Sequence, residues 1–281
     1  MKDSGILLIN KPIGISSSDV VLKIKKILQT KKIGHTGTLD PLAEGLLVVT
    51  INKATKISTL LTSTYKEYIA TMQLGIKTDT YDTEGKVLEE KEVSKDLDIE
   101  KVINSYQKTY LQEVPIYSAV KVDGKKLYEY ARNNEEVTLP KKEVDIKEIE
   151  VLSIDNNIVK FRCLVSKGTY IRSLINDIGE DLGCHAIMIG LLRTKVDNFS
   201  LEDAYTLEDI EKGNYKLIPI QDALNIPKII VDEDLELKIK NGVKLDNIYN
   251  IKDKVLFINQ SNEELGIYEL DNNKLKVYRN F

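Results

Sequence analysis

Apolar and polar positions follow two periods along this chain, one near 2 and one near 3.6, and they divide it into elements. Gly5 to Asn10 (GILLIN) is a near-continuous apolar run of strand length, and Lys11-Pro12-Ile13-Gly14 is the turn that stops it. Ser16, Ser17 and Ser18 then offer N-caps. The following DVVLKIKKIL puts Val20, Ile24, Ile27 and Leu28 at helical spacing with lysines opposite, which predicts an amphipathic helix. Gly45 to Ile51 (GLLVVTI) reads as a central strand, Ala54 to Leu61 as a helix, and Tyr65 to Leu74 (YKEYIATMQL) as a strand rich in β-branched and aromatic residues. Thr78 to Thr83 is a polar loop. A helix is expected near residues 95 to 109, before Val114-Pro115 breaks the chain. Alternation in VDIKEIEVLSI and IVKFRCLV gives two more strands, and Thr169 to Leu182 a helix ending at Gly183.

Strands and helices interleave without the regular period of a doubly wound parallel sheet, and hairpin-like neighbours recur. The expected fold class is α+β, with a large mixed, mainly antiparallel sheet flanked by helices. After Pro227 come a short helix (Glu233 to Lys240), Asn241-Gly242, and the strand runs VLFI and LGIYEL. Residues 227–281 therefore form a small β-rich module, and residues 1–226 the main domain.

Composition refines this outline. A hydrophobic content of 42% over 281 residues allows a sizeable core. The only cysteines, Cys163 and Cys184, lie in apolar surroundings in a chain that opens into a strand, with no signal-peptide pattern ahead of it, so a reducing cytoplasm is expected. No stretch approaches the roughly 20 uninterrupted apolar residues of a membrane-spanning helix. The net charge of −4 argues at first against a polyanionic partner. It conceals an asymmetry: residues 1–60 hold nine lysines against four acids, and residues 201–281 eleven basic against sixteen acidic side chains. Such lysine runs also simply solvate a helix face.

Several chemistries are excluded. Two histidines and two cysteines, with only Cys184-His185 adjacent, do not make a zinc site. No phosphate-binding loop, dinucleotide fingerprint or nucleophile elbow is present. Carboxylate, arginine and tyrosine chemistry remains, with no metal or cofactor expected.

The loop Gly34 to Gly45 (GHTGTLDPLAEG) packs three glycines, a histidine, an aspartate and a proline into twelve residues between a helix and a strand. Its glycines permit close backbone approach, and Pro41 drives Asp40 toward an extended conformation that presents its carboxylate from a fixed backbone. Aspartate before proline also caps ordinary turns, so these residues alone leave both readings open.

This loop closely resembles the G-H-x-G-x-L-D-P-L-A-x-G motif of the TruB family of tRNA pseudouridine synthases. Ile9-Asn10-Lys11-Pro12, the Tyr68 strand, Gly75 to Asp82, Val114 to Arg132 (VPIYSAVKVDGKKLYEYAR) and Ser166 to Arg172 (SKGTYIR) resemble family segments in family order, over about residues 5 to 200. The resemblance implies a stand-alone, cofactor-free isomerase that converts a uridine in the T loop of tRNA, at position 55, into pseudouridine. Asp40 is then the catalytic carboxylate and Arg172 the guanidinium that holds it ionised. Tyr68 gives the extruded base an aromatic face. Tyr170 and Leu191 line the same pocket, and His35 contacts RNA where the flipped base had been. Phosphate contacts are expected from the N-terminal lysines, Lys121, Lys125, Lys126 and Arg193. Relatives often carry two consecutive arginines after the pocket leucine. Here Leu191-Leu192-Arg193-Thr194 has one, so one phosphate contact is expected to be missing. Residues 227–281 take the place of the family's PUA-type RNA-binding module, but match it poorly, and their acidity suggests a supporting role.

Two other readings compete. A tRNA-elbow-binding protein that remodels RNA without needing chemistry has no use for Asp40, Arg172 and Tyr68 together. A guide-RNA-dependent enzyme of the dyskerin type usually carries basic extensions, which this chain lacks. A monomer is expected.

Overall fold

The computed structural model describes residues 3–61 and 64–281. Its first two apolar runs, Gly5–Lys11 and Ala43–Ile51, pair antiparallel from Gly5↔Ile51 to Lys11↔Gly45. Side chains alternate across this pair. Ile6, Leu8, Leu46 and Val48 enter one core cluster, whereas Leu7, Ile9, Leu47, Val49 and Ile51 enter another. Both faces are covered, and this is why neither strand shows polar alternation in sequence. Val20 and Ile24 of the helix Ser17–Ile27 close the second face. That helix starts where its serines predict, on a capping box in which Asp19 N donates to Ser16 Oγ (3.1 Å) and Ser16 N to Asp19 Oδ2 (3.2 Å).

The main sheet has nine strands. Its order runs Gly5–Lys11, Ala43–Ile51, Ala186–Val196, Tyr65–Leu74, Ile158–Ser166, Lys141–Asp155 and Thr109–Glu113, with the short strands Ile33–His35 and Phe199–Ser200 attached to it. Its neighbours are antiparallel except for Ala186–Val196 beside Ala43–Ile51, where Leu191 stands against Ala43 in parallel register. The class is α+β with a mixed, mainly antiparallel sheet, as expected. The helix Ile171–Asp181 packs Leu174, Ile175 and Ile178 into the largest core cluster, together with Tyr68, Ala70, Met72 and Phe161 from the sheet.

Two elements differ from expectation, and a third has no counterpart in the sequence pattern. The Ala54–Leu61 segment forms only a 3-10 stretch, Asn52–Ile57, because Thr55 Oγ1 and Ser58 Oγ bond back to the carbonyls of Asn52 (2.7 Å) and Thr55 (2.9 Å) and compete with α-helical pairing. The helix expected over 95–109 shrinks to Ile99–Asn104, capped by Asp98, and Thr109–Glu113 becomes the edge strand. Ala186–Val196, near the centre of the sheet, is not marked as a strand by its apolar pattern. Its AIMIGLL half suits either a buried strand or a buried helix.

Helix and central strand approach so closely that a Cβ on Gly179 would lie 2.2 Å from Ala186 N and 2.5 Å from the His185 carbonyl carbon. Gly179→Ala gains about 1 kcal/mol of helix propensity. Against that gain stands a backbone clash of about 3 kcal/mol or more. Net destabilisation of about 2 kcal/mol is therefore expected in urea unfolding, and a stabilised variant would contradict this packing.

A second sheet of five strands contains Lys228–Ile230, Lys254–Ile258, Glu264–Asp271, Lys274–Asn280 and Leu245–Asp246, with the helix Glu233–Lys240 alongside. Val255, Phe257, Tyr268 and Leu275 make its own core, while Leu256, Ile258 and Ile267 face the first sheet and join Ile6 and Leu8. Among the described residues no helix is long and apolar enough to cross a membrane.

Candidate active site

Asp40 sits between the strands Ile33–His35 and Ala43–Ile51, in a loop whose backbone is fixed peptide by peptide. Ser17 Oγ accepts from Leu39 N (2.8 Å) and donates to Leu39 O (3.0 Å). Asp40 O accepts from Ala43 N (3.0 Å) and Pro41 O from Gly14 N (2.8 Å). Leu39 is buried in the same core cluster as Tyr68 and Ala43, so the loop is pinned from below. The Asp40 side chain remains 45% exposed.

Arg172 is the second residue of the helix Ile171–Asp181 and has a side-chain exposure of only 9%. Its Nη2 lies 3.0 Å from Asp40 Oδ2 and its Nη1 3.3 Å from Asp82 Oδ2. The same nitrogens donate to the carbonyls of Thr80 (Nη1, 3.2 Å) and Tyr117 (Nη2, 3.2 Å). Two charge-assisted contacts and two carbonyls leave the guanidinium one orientation. Asp82, itself buried, is held by Thr80 Oγ1 (2.6 Å) and Glu84 N (3.0 Å) on its other oxygen. One cation thus serves a buried carboxylate and an accessible one. Asp82 closes the Gly75 to Asp82 segment, and the sequence pattern alone assigns it no role. Two aspartates within the polar stretch Thr78–Thr83 were its only local signal.

Tyr68 is buried in the strand Tyr65–Leu74, opposite Cys163 on one side and Arg193 on the other. Leu191 is partly buried, packs against the same cluster, and is flanked by Ala43 and Ala70. Tyr170 precedes the Arg172 helix as its N-cap. Burial pushes its phenol pKa up, and the charge of Asp40 also acts in that direction. Asp40, Arg172 and Tyr170 therefore meet, with Tyr68 and Leu191 on the adjoining sheet surface. His35 ends the strand that leads into the loop. Its Nδ1 is buried without a hydrogen-bond partner, and burial, then the nearby Arg193 charge, lowers its pKa, favouring the neutral ring.

The start of the Arg172 helix is braced from outside. Tyr170 N donates to Gln112 Oε1 (2.8 Å), Gln112 Nε2 to Tyr110 Oη (2.8 Å), and Tyr110 Oη to Asp177 Oδ2 (3.1 Å), two turns along the same helix. Burial pushes the Asp177 carboxyl pKa from 3.8 up to about 6. A carboxyl whose folded pKa exceeds its unfolded value binds its proton preferentially in the folded state, so stability falls as pH rises from about 4 to 6. Asp177→Asn keeps an acceptor for Tyr110 and removes the titration. Melting curves should show a higher Tm for the variant at pH 7 and a flatter profile between pH 4 and 6; an unchanged profile would contradict the assignment.

Arg193 does not have the expected position. It is 1% exposed, not on the surface where a phosphate contact would lie, and its three hydrogen bonds end on main-chain carbonyls. Burial in the central strand removed it from the RNA-facing set. Lys125 pairs with Glu135 and lies 4.6 Å from the Tyr130 ring centre, and Lys126 lies 5.3 Å from the ring centre of Tyr128. Lys121 is exposed.

The profile of the TruB family pseudouridylate synthase N-terminal domain matches residues 25–171, and that of the tRNA pseudouridylate synthase B C-terminal domain matches residues 172–224. The tRNA pseudouridine synthase B of Clostridium tetani is 44% identical over 95% of this chain and 93% of its own length. The Bacillus subtilis protein of the same name is 41% identical over 94% and 92%. Among solved structures, a Cbf5-Nop10-Gar1 complex matches with a TM-score of 0.72 at 28% identity, over 99% of this chain and 84% of that one. On a shared fold, a matching sequence over nearly its whole length and the two family domains in order, the chain belongs to the TruB family of pseudouridylate synthases.

Proposed function

We propose that the chain isomerises the uridine at position 55, in the T loop of tRNA, to pseudouridine, acting alone as a monomer in the cytoplasm, with no cofactor. Its main unit is residues 1–226, supported by the small module 227–281. The observation that carries this reading is the 3.0 Å pair between Arg172 and the accessible carboxylate of Asp40. The reaction breaks the bond from C1′ to N1, turns the freed uracil, and forms a bond from C1′ to C5. N1 gains a proton and C5 loses one, so no electrons are exchanged with an external partner. Such chemistry needs a carboxylate beside the sugar and a preorganised cation that orients it, as Asp40 and Arg172 provide.

A base stacked within an RNA loop must be extruded before either group can reach it. Tyr68 supplies the aromatic face, Tyr170 and Leu191 the pocket walls, and His35 a contact with RNA at the vacated position. The relatives named tRNA pseudouridine synthase B, matched nearly end to end, support tRNA as the substrate. Unmodified tRNA carrying tritium at C5 of uridine tests this directly, because isomerisation must expel that hydrogen. Release of one label per tRNA, mapped to the T loop, is the expected result. No release from any tRNA by folded protein would overturn the proposal, and label lost from another position would move the substrate site.

A further inference from the structure

We propose that Arg193 is a positioning residue for Asp40, clamping the backbone of the loop that carries it; the inference rests on the function proposed above. Arg193 Nε donates to Leu46 O (2.7 Å), Nη1 to Thr38 O (3.3 Å) and Nη2 to Gly37 O (3.0 Å). Together with the bonds made by Ser17, Ala43 and Gly14, every carbonyl from Gly37 to Pro41 then has a donor, and Arg193 supplies the first two. Its third bond, to Leu46, ties the same guanidinium to the strand that leaves the loop, so both ends are held by one planar group. The side chain of Asp40 is nearly half exposed, and the direction of its carboxylate is therefore set by its backbone as well as by Arg172.

The placement of Arg193 supports this role in two further ways. It stands opposite Tyr68 in the neighbouring strand and Gly45 in the strand after the loop, so it links the register of the base platform to that of the catalytic loop. A Cβ on Gly45, whose φ is +99°, would lie 2.4 Å from Arg193 O, which leaves that approach to glycine alone. A buried cation solvated only by main-chain dipoles at fixed angles suits the flat, five-donor arginine fork, and no other side chain offers that geometry.

The test measures Arg193→Met and Arg193→Lys in three ways: the single-turnover rate of tritium release with saturating unmodified tRNA, the tRNA Kd as a function of salt, and hydrogen exchange of the loop amides. The clamp predicts a rate about 100-fold lower for Arg193→Met, from misplacement of Asp40, with Kd and its salt dependence unchanged. Arg193→Lys, which keeps the charge but cannot span three carbonyls, should show the same split with a smaller loss. The amides of Thr36 and Leu39 should exchange faster in both variants, while those of the Tyr65–Leu74 strand stay protected. If Arg193→Met does not fold, the lysine variant carries the same reading. A weaker Kd with a salt slope lower by about one and a normal bound rate would make Arg193 a phosphate contact and overturn the proposal. Folded variants with normal rate and normal loop exchange would also overturn it. If wild-type protein releases no tritium from any tRNA, the functional reading fails, and the exchange measurement still decides the clamp.

Discussion

Asp40→Asn is expected to abolish tritium release, by at least about 10⁴-fold, with the fold and the affinity for tRNA kept. Asparagine preserves the size of the side chain and one acceptor oxygen, but removes the charge that the proposed chemistry places beside C1′. Stability should change little, because the carboxylate is 45% exposed and exposed ion pairs contribute only about 0–1 kcal/mol. Arg172 does not become an orphan in this variant, since Asp82 stays 3.3 Å from its Nη1. The loop backbone keeps its donors from Ser17, Ala43, Gly14 and Arg193, none of which touches the Asp40 carboxylate. Single-turnover release, a filter-binding Kd and a melting curve decide the matter together. Turnover within about 10-fold of wild type would exclude Asp40 as the catalytic carboxylate.

Replacement of Arg172 by Met should impair both activity and stability, and for different reasons. Activity is expected to fall about 10²- to 10³-fold, the usual cost of losing one preorganised charge contact at a reacting centre. Stability should fall by about 3 kcal/mol, because Asp82 is left with a buried charge and no cation, while Thr80 and Glu84 keep part of its hydrogen bonding. The two effects separate in a double variant. Arg172→Met with Asp82→Asn removes the orphan charge and should recover most of the lost stability, but none of the lost activity. Urea unfolding and single-turnover release on the three proteins provide the check. Recovery of activity in the double variant would show that Arg172 serves Asp82 rather than Asp40.

The sequence and the fold contributed differently to these expectations. Periodicity locates the apolar strands Gly5–Lys11 and Ala43–Ile51 and the helices at Ser17 and Glu233, because their capping residues and apolar faces lie within a few positions of one another. It misplaces or leaves unmarked the elements whose fate depends on partners elsewhere. Thr55 and Ser58 turn an expected helix into a 3-10 stretch, and Ala186–Val196 is made a strand by neighbours that lie more than 100 residues before it in the chain. The Gly34 to Gly45 motif identifies the family because its glycines, aspartate and proline are consecutive.

From its sequence alone this protein can be assigned its α+β class, its two-part organisation as an expectation, and the residues on which its chemistry is proposed to rest. Tertiary structure alone decided who holds them. Arg172 meets Asp82, Thr80 and Tyr117 across separations of 90, 92 and 55 residues, and Arg193 reaches back 156 residues to Gly37. A buried guanidinium takes its partners from whatever carbonyls and carboxylates packing brings within about 3 Å of its fixed fork, and no local pattern encodes that choice. The same physical reason separates two arginines that look alike in sequence, one placed against an accessible carboxylate and the other sealed beneath the loop that carries it.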